Sequence, residues 1–112
     1  MLAKPNRLTR GSDYKVVVRR GARCAGAHTV TYVGDAGGSS QARFGFIVSR
    51  QVGTAVVRNT VRRRLKAITA EALPWVRPGA DVVIRALPGA ASADYAALRD
   101  DVQRCLRRKA AA

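Results

Sequence analysis

The sequence has 112 residues, of which 21 are Lys or Arg and 7 are Asp or Glu, so its net charge at pH 7 is +14. This length fits one domain and leaves no room for a second. Hydrophobic residues make up 47% of the chain, which is enough to bury a core and argues against wholesale disorder. No stretch approaches the roughly 18 apolar residues of a membrane span, and the N-terminus lacks the apolar run of a signal peptide. We therefore expect a soluble, cytoplasmic protein with no membrane partner.

The positive charge indicates a polyanionic partner. Self-repulsion from +14 on a small globule destabilises the compact state. Seventeen of the 21 basic residues are Arg, whose guanidinium can bind phosphate through two hydrogen bonds. No predicted helix combines a basic face with an exposed face of Trp, Phe or Leu, so a nucleic acid is favoured over an anionic membrane. The alternative is a basic surface that serves solubility alone.

Residues suited to catalysis are scarce. His28 is the single histidine, which excludes a nuclease that uses two histidines as acid and base. The seven acidic residues lack the paired pattern of a two-metal nuclease, and Gly-Gly-Ser-Ser at 37–40 indicates a loop. Cys24 and Cys105 belong to no CxxC or Cys/His cluster, so a zinc site is unsupported. The two cysteines could pair in principle, but in a cytoplasmic protein two free, buried thiols are expected. We expect no catalytic residue and no small-molecule substrate.

The first 20 residues predict an arm and a helix. Residues 1–10 are polar and basic, and we expect an extended arm up to the point where Leu8 packs. Ser12 or Asp13 can cap a helix that runs to about Arg20 and stops before a glycine. Apolar side chains of this helix share one stripe, formed by Tyr14, Val17 and Val18.

Strands follow the first helix. Alternation over residues 28–33 places His28 and Tyr32 on one face, and a short strand at 23–25 precedes it. His28 either touches RNA from that face or is a surface residue without a role. Residues 34–40 predict a turn or loop.

Two further segments, 42–49 and 80–87, predict buried strands. In the first of these, Phe44 and Phe46 share one face and are assigned to the core, whereas Ile47 lies on the other face.

A long basic helix is predicted from about Ala55 or Val57 to about Leu73, where a proline follows. Its apolar residues form one narrow stripe, consisting of Val57, Val61, Leu65, Ile68 and Ala72. The opposite side carries Arg58, Asn59, Arg62, Arg63 and Lys66, with Arg64 on the flank. From Arg43 to Lys66 the chain has seven basic residues and no acidic one. A helix face that is merely solvated usually has Glu residues among its cations. The uniformly positive charge of this segment therefore predicts contact with a phosphate backbone.

The last segment predicts a third helix, which Ser92 can cap with Asp94 in the first turn. Its inward side is formed by Tyr95, Leu98, Val102 and Leu106 or Cys105. Residues 107–112 form a basic and Ala-rich tail, and the cations of the last turn suit the helix dipole. The element order α-β-β-β-α-β-α then describes one α+β domain over residues 1–112, an α-β sandwich with helices on a sheet.

A long central motif carries a family resemblance. RFGFIVSR at 43–50 and VGTAVVRN at 52–59, followed by Arg62 and Arg63, resemble the bacterial ribonuclease P protein component. That family has a strand ending in V-S-K/R and then G-N-A-V-x-R-N-x-x-K/R-R-x-x-R. An R-L-x-x-x-x-D-Y pattern from residue 7 matches as well, and the resemblance extends over nearly the whole chain. The chain departs from the usual Asn, Arg, Arg and aromatic residue of the family at Thr54, Thr60, Lys66 and Val18.

The resemblance implies a fold and a function. The fold is ribosomal-protein-S5-domain-2-like, with a left-handed β-α-β crossover around the second helix. Family members are the small, non-catalytic subunit of a ribonucleoprotein endonuclease, so the implied partners are the ribonuclease P catalytic RNA and precursor tRNA. The RNA subunit hydrolyses one phosphodiester bond and removes the 5′ leader of precursor tRNA. The implied cofactor is Mg²⁺, held mainly by RNA and substrate.

The resemblance also implies two binding surfaces. The residues matched to RNA-subunit binding are Arg58, Asn59, Arg62, Arg63, Arg64 and Lys66. Those matched to the cleft that binds the leader are Tyr14, Val18, Tyr32 and Ile47. A basic RNA-binding structural protein, such as a ribosomal protein or RNA chaperone, is the alternative function. It shares the charge and the basic helix but does not require the GTAVVRN run after a V-S-R strand.

Overall fold

The computed structural model describes residues 2–35 and 41–112. Its helices and strands, in chain order, are α1 (Gly11–Arg20), β1 (Ala22–Ala25), β2 (Thr29–Asp35), β3 (Arg43–Ile47), α2 (Ala55–Ala72), β4 (Ala80–Ala86) and α3 (Tyr95–Lys109). The predicted α+β class and element order are therefore confirmed. The predicted loop at 34–40 begins later than expected, because β2 continues to Asp35, and its remaining residues, 36–40, lie outside the described residues.

The four strands form one sheet in the order β1-β2-β4-β3. β1 pairs with β2 and β2 with β4 in antiparallel fashion, whereas β3 and β4 are parallel. Parallel neighbours need a crossover connection. Here α2 supplies it, so β3-α2-β4 is a β-α-β unit of the kind that the resemblance implies.

Alternation along the strands divides the core between the two faces of the sheet. On one face Phe44, Val82 and Ile84 pack against α2 and α3, and Phe46 packs on the same cluster. The assignment of Phe44 and Phe46 to the core is thus confirmed. On the other face α1 covers a smaller cluster made of Leu8, Val17, Val30, Tyr32 and Val83.

The N-terminal segment is attached to the sheet and is not an extended arm. Leu2 and Asn6 are buried, and so is Leu8. The packed segment therefore begins at the first described residue. The backbone N–H of Leu8 donates to the carbonyl oxygen of Phe44 at 2.8 Å, so residues 7–8 run along the outer edge of β3.

The C-terminal residues are docked as well. α3 continues to Lys109, Ala110 is fully buried, and the N–H of Ala112 donates to the carbonyl oxygen of Trp75 at 3.0 Å. Residues 107–112, predicted as a tail, are the end of α3 and a short docked extension.

Two predictions about α3 are wrong. Its N-cap is Asp94 and not Ser92, because the Asp94 carboxylate accepts a hydrogen bond from the N–H of Ala97 at 2.8 Å. Tyr95, predicted on the inward side, is exposed, since the helix begins at that residue and its buried stripe starts only at Leu98.

The predicted pair of free thiols is also wrong, since Cys24 and Cys105 form a disulfide. The two residues are separated by 81 positions in sequence, but α3 lies against β1 and brings their Cα atoms to 5.6 Å. The bond joins the C-terminal helix to the first strand.

A buried carboxylate strengthens the same junction. Asp101 of α3 accepts hydrogen bonds from the backbone N–H groups of Ala27, His28 and Thr29, at 3.0 to 3.1 Å, and from the Thr29 hydroxyl at 2.8 Å. A Cβ at Gly26 would overlap the Asp101 carboxylate, so this turn requires glycine. Burial alone would raise the pKa of the Asp101 carboxyl, but these hydrogen bonds outweigh it and hold the pKa below the ordinary value.

Candidate nucleic-acid interface

The predicted RNA-binding residues lie on α2, whose start and orientation the structure defines. The helix begins after Thr54, whose hydroxyl accepts a hydrogen bond from the N–H of Val57 at 3.4 Å. Val61, Leu65 and Ile68 are buried against the core, which turns the opposite side of the helix outward. That outward side carries the basic and amide side chains Arg58, Asn59, Arg62, Arg63 and Lys66.

Within this group of five, the contacts involve no acidic residue. Arg62 donates to the side-chain oxygen of Asn59 at 3.1 Å, which orients the guanidinium along the helix. The acidic residue of α2, Glu71, lies in its last turn and pairs with Arg99 of α3 at 2.7 Å. The outward surface therefore presents donors that no carboxylate of residues 2–35 and 41–112 neutralises.

Arg64 is placed differently from the other five. Its guanidinium donates to the carbonyl oxygen of Ala93 at 3.2 Å, in the segment that leads into α3. The side chain therefore reaches toward α3 and fastens the two helices together. Thr60, which replaces an Arg of the family pattern, donates its hydroxyl to the carbonyl oxygen of Val56 at 3.1 Å and offers no cation.

A cavity of about 210 Å³ lies where α2 meets the N-terminal segment and β3. Arg62 and Lys66 line it from the α2 side, and Tyr14 lines it from α1. The remaining lining residues include Leu8 and Phe44, so its wall is partly apolar. Two residues of the basic helix thus face a cavity that reaches the first helix.

Three of the four residues predicted to bind the leader come together in an open groove beside α1. Tyr14, Val18 and Ile47 line it with Lys15 and Arg19. Since Tyr14 also lines the cavity next to α2, this one side chain lies between the two predicted binding surfaces.

Tyr14 is fixed by contacts to the sheet and the N-terminal segment. Its hydroxyl donates to the carbonyl oxygen of Leu8 and accepts from the N–H of Phe46, both at 3.2 Å. The ring covers Gly45 so closely that a Cβ at that position would overlap it. The wall shared by the groove and the cavity is therefore built on a glycine of β3.

The fourth predicted leader residue, Tyr32, does not line the groove. Its side chain is only 7% exposed and packs with Val17, Val30 and Val83 beneath α1. Tyr32 supports the groove from below, because α1 covers the part of β2 in which it lies. Its predicted contact with a leader base is corrected to a supporting position.

An ion pair fixes the far end of the same face. Arg43 donates two hydrogen bonds to Asp81, at 2.9 and 2.7 Å, and lies 3.8 Å from Asp13 of α1. The hydrogen bonds to Asp81 raise the pKa of the Arg43 guanidinium above its ordinary value, against the opposing effect of burial. This cation is therefore committed to the fold and is not available to RNA.

The described part of the chain has neither a metal-binding cluster nor a membrane-spanning helix. His, Cys, Asp and Glu side chains nowhere gather there in a group of three that could hold a metal ion. Among the same residues, no helix has the length and apolarity needed to cross a bilayer.

Comparisons with known proteins agree with this architecture. A family model described as Ribonuclease P matches residues 2–110. The ribonuclease P protein component of Clavibacter michiganensis is 44% identical over 108 residues, which cover 96% of each chain. That of a Nocardioides species is 44% identical over 111 residues, covering 96% of this chain and 94% of the relative.

Solved structures show the same fold at lower identity. The Staphylococcus aureus RNase P protein superposes with a TM-score of 0.84 at 19% identity, covering 92% of this chain and 94% of that one. The Thermotoga maritima RNase P protein gives a TM-score of 0.80 at 22% identity, covering 91% and 96%. With a family model that spans nearly the whole chain and relatives this similar over almost their full length, the chain belongs to the ribonuclease P protein family.

Proposed function

We propose that this ribonuclease P subunit binds the catalytic RNA through the basic side of α2 and the 5′ leader of precursor tRNA through the groove beside α1. Membership of the family makes the chain a ribonuclease P protein component and gives it an RNA partner in a ribonucleoprotein. The assignment of each surface to a particular RNA is the proposal. A ribosomal protein or RNA chaperone is not favoured, because the matching family model and the relatives named above are ribonuclease P proteins.

The uniform positive charge on the outward side of α2 is the observation that carries the RNA-subunit assignment. Arg58, Arg62, Arg63 and Lys66 lie on one side of a helix whose other side is buried. Cations at i and i+4 repel each other and destabilise an isolated helix by a few tenths of a kcal/mol per pair, about 0.2–0.5. A bound phosphate backbone would neutralise these cations and remove the repulsion between them. Each neutralised phosphate also releases a counterion, which favours binding.

The groove supports the assignment to a single-stranded leader. Its wall combines an aromatic ring, Tyr14, with the aliphatic side chains of Val18 and Ile47 and the cations Lys15 and Arg19. Single strands are bound by this combination of base stacking and backbone neutralisation, and stacking contributes about 1–3 kcal/mol per base with little sequence preference. A substrate with a leader then binds more tightly than mature tRNA, which lacks that segment.

Hydrolysis itself is assigned to the RNA subunit. The protein contributes binding and orientation: α2 holds the RNA subunit and the groove holds the leader, so that the scissile bond stays close to the catalytic RNA. We propose that Mg²⁺ is held mainly by RNA and substrate. By neutralising phosphates, the cations of the protein lower the Mg²⁺ concentration that the complex needs.

Reconstitution at low Mg²⁺ tests the proposal. Precursor tRNA is incubated with a bacterial ribonuclease P RNA alone, with this chain alone, and with both. We expect cleavage at the mature 5′ end only when both are present. If the chain stimulates no cognate RNA, the proposal fails in favour of general RNA binding, and cleavage by the chain alone would overturn the non-catalytic role.

A further inference from the structure

The helix α1 divides one face of the sheet into two sides. In the register of β3, β4 and β2, one row of side chains consists of Arg43, Asp81 and Gly34, and the next row of Gly45, Val83 and Tyr32. Since Tyr14 of α1 covers Gly45 and α1 ends where Gly21 meets Val33, the helix crosses the sheet over this second row. A third row lies on the groove side of this crossing.

The third row consists of Ile47, Arg85 and Val30. Arg85 is the single exposed residue of β4, a central strand whose other six residues are buried. Neighbouring strands lie about 4.8 Å apart, so Arg85 stands directly between Ile47 of the groove and Val30. Because Arg85 is exposed, its guanidinium stays hydrated and can meet an anion at the surface of the sheet.

The charges on the two sides of α1 differ in how they are paired. On one side a cavity of about 370 Å³ is lined by Asp13, Asp35 and Asp81, which form ion pairs with Arg43 and Arg77. On the groove side, Lys15, Arg19 and Arg85 make no ion pair or side-chain hydrogen bond with any residue of the described ranges 2–35 and 41–112. The groove side therefore offers unpaired cations to a polyanion.

We propose that Arg85 forms a second subsite for the leader, in which its guanidinium binds a backbone phosphate of the nucleotides that continue beyond the groove. This inference rests on the proposed function and extends it. The leader passes from Ile47 over Arg85, with its bases against Tyr14 and Val18 and one phosphate on Arg85. The contact exists only when the leader is long enough to reach β4, so the subunit distinguishes long leaders from short ones.

The test compares three variants in the holoenzyme reconstituted with ribonuclease P RNA. Arg85→Gln removes the charge at similar length, and Arg85→Lys restores it. Arg20→Gln removes a charge beside the cavity on the other side of α1 and is the matched control. Affinity is measured for mature tRNA and for precursors with leaders from a single nucleotide to about eight nucleotides, at several salt concentrations.

We expect Arg85→Gln to weaken binding of long leaders about tenfold and to leave mature tRNA and the shortest leader unchanged. The slope of log affinity against log salt should become shallower by about 0.7, the value for one phosphate of a single strand. Arg85→Lys should recover most of the loss, and Arg20→Gln should behave as the unmodified chain. An equal loss for mature tRNA, or no loss at any leader length, overturns the subsite.

A second arm separates this inference from the proposed function. The free full-length chain is titrated with a single-stranded oligoribonucleotide of about eight nucleotides, without any RNA subunit. A loss of affinity and a shallower salt slope in Arg85→Gln support the subsite even if the chain stimulates no cleavage. Full cleavage stimulation with identical binding by Arg85→Gln and the unmodified chain rejects the subsite and leaves the proposed function intact.

Discussion

The ring of Tyr14 covers Gly45 with no space for a Cβ between them, and this contact joins α1 to the edge strand β3. The tyrosine hydroxyl completes the contact by bonding to the backbone of Leu8 and Phe46. Because Tyr14 borders both the groove and the cavity beside α2, its position affects both surfaces. A glycine in the strand thus determines where an aromatic side chain of the helix stands.

Gly45→Ala should displace Tyr14 and lower the free energy of unfolding by about 1–3 kcal/mol, as for other overpacked positions. It should also weaken binding of precursor tRNA, since the wall of the groove moves. Urea denaturation and a binding titration measure the two effects. Gly11→Ala is the matched control, because a Cβ at Gly11 meets no atom within 4 Å. Equal stability of the two variants would contradict the contact.

Tyr32→Ala should lower the free energy of unfolding by about 2–5 kcal/mol, because the side chain is buried beneath α1. We expect the substitution to weaken binding of leader-bearing substrates more than binding of mature tRNA, because it removes the side chain that supports Val18 from below. Competition binding with both substrates checks this at a temperature where the variant is folded. Equal losses of affinity for the two substrates would show that Tyr32 contributes to packing alone.

Arg62→Ala combined with Arg63→Ala should weaken binding of the RNA subunit. Removal of two phosphate contacts should make the slope of log affinity against log salt shallower by about 1.8 if the contacted RNA is double-stranded. Binding at four or more salt concentrations gives this slope. An unchanged slope would show that the outward side of α2 does not touch RNA.

Arg63 and Arg64 are adjacent in sequence, but their substitution should affect different properties, RNA affinity in one case and stability in the other. Arg63→Ala should reduce RNA affinity with little effect on stability, because the side chain is exposed. Arg64→Ala should lower the free energy of unfolding by about 0.5–1.5 kcal/mol, since its hydrogen bond to Ala93 links α2 to α3. Thermal denaturation and RNA titration of both variants form a paired test, and identical profiles would refute the distinction.

Asp101→Asn should destabilise the junction between α3 and the β1–β2 turn by about 1–3 kcal/mol, because an amide cannot accept all the hydrogen bonds of the carboxylate. The folded pKa of Asp101 lies below the ordinary value of 3.8, so its contribution is fully present above pH 3.8 and is lost as the pH falls through the folded pKa. The stability difference between the unmodified chain and Asp101→Asn should therefore be constant near neutrality and shrink in acid.

Asp100→Asn is the control for this pH series, because Asp100 is exposed and lies beside Asp101. Its stability should follow that of the unmodified chain over the same pH range. A difference between Asp101→Asn and the unmodified chain that persists unchanged in strong acid would contradict the assigned role of the carboxylate.

The parts of the fold that could be predicted were those with a local pattern. The extent of α2 follows from a buried stripe with helical period and from the proline after Leu73. The alternation in β3 correctly assigned Phe44 and Ile47 to opposite faces. Each of these signals lies within a few residues, so tertiary packing had little to add.

What the sequence did not reveal depends on contacts between distant residues. No local pattern pairs Cys24 with Cys105 or directs Asp101 to the turn at 27–29, since both require α3 to lie on β1. Arg85 could have been noticed as a charge inside an apolar strand pattern, but its neighbours follow only from the sheet register.

The attachment of the N-terminal segment to β3 also has a consequence for self-association. An uncovered edge strand can pair with the same strand of another molecule and start aggregation. Here residues 7–8 and the Tyr14 hydroxyl occupy backbone groups of Phe44 and Phe46 at that edge, and the opposite edge strand, β1, is short and carries the exposed Arg23. The contacts that position Tyr14 in the groove wall therefore also occupy backbone groups that another copy would need in order to pair with β3.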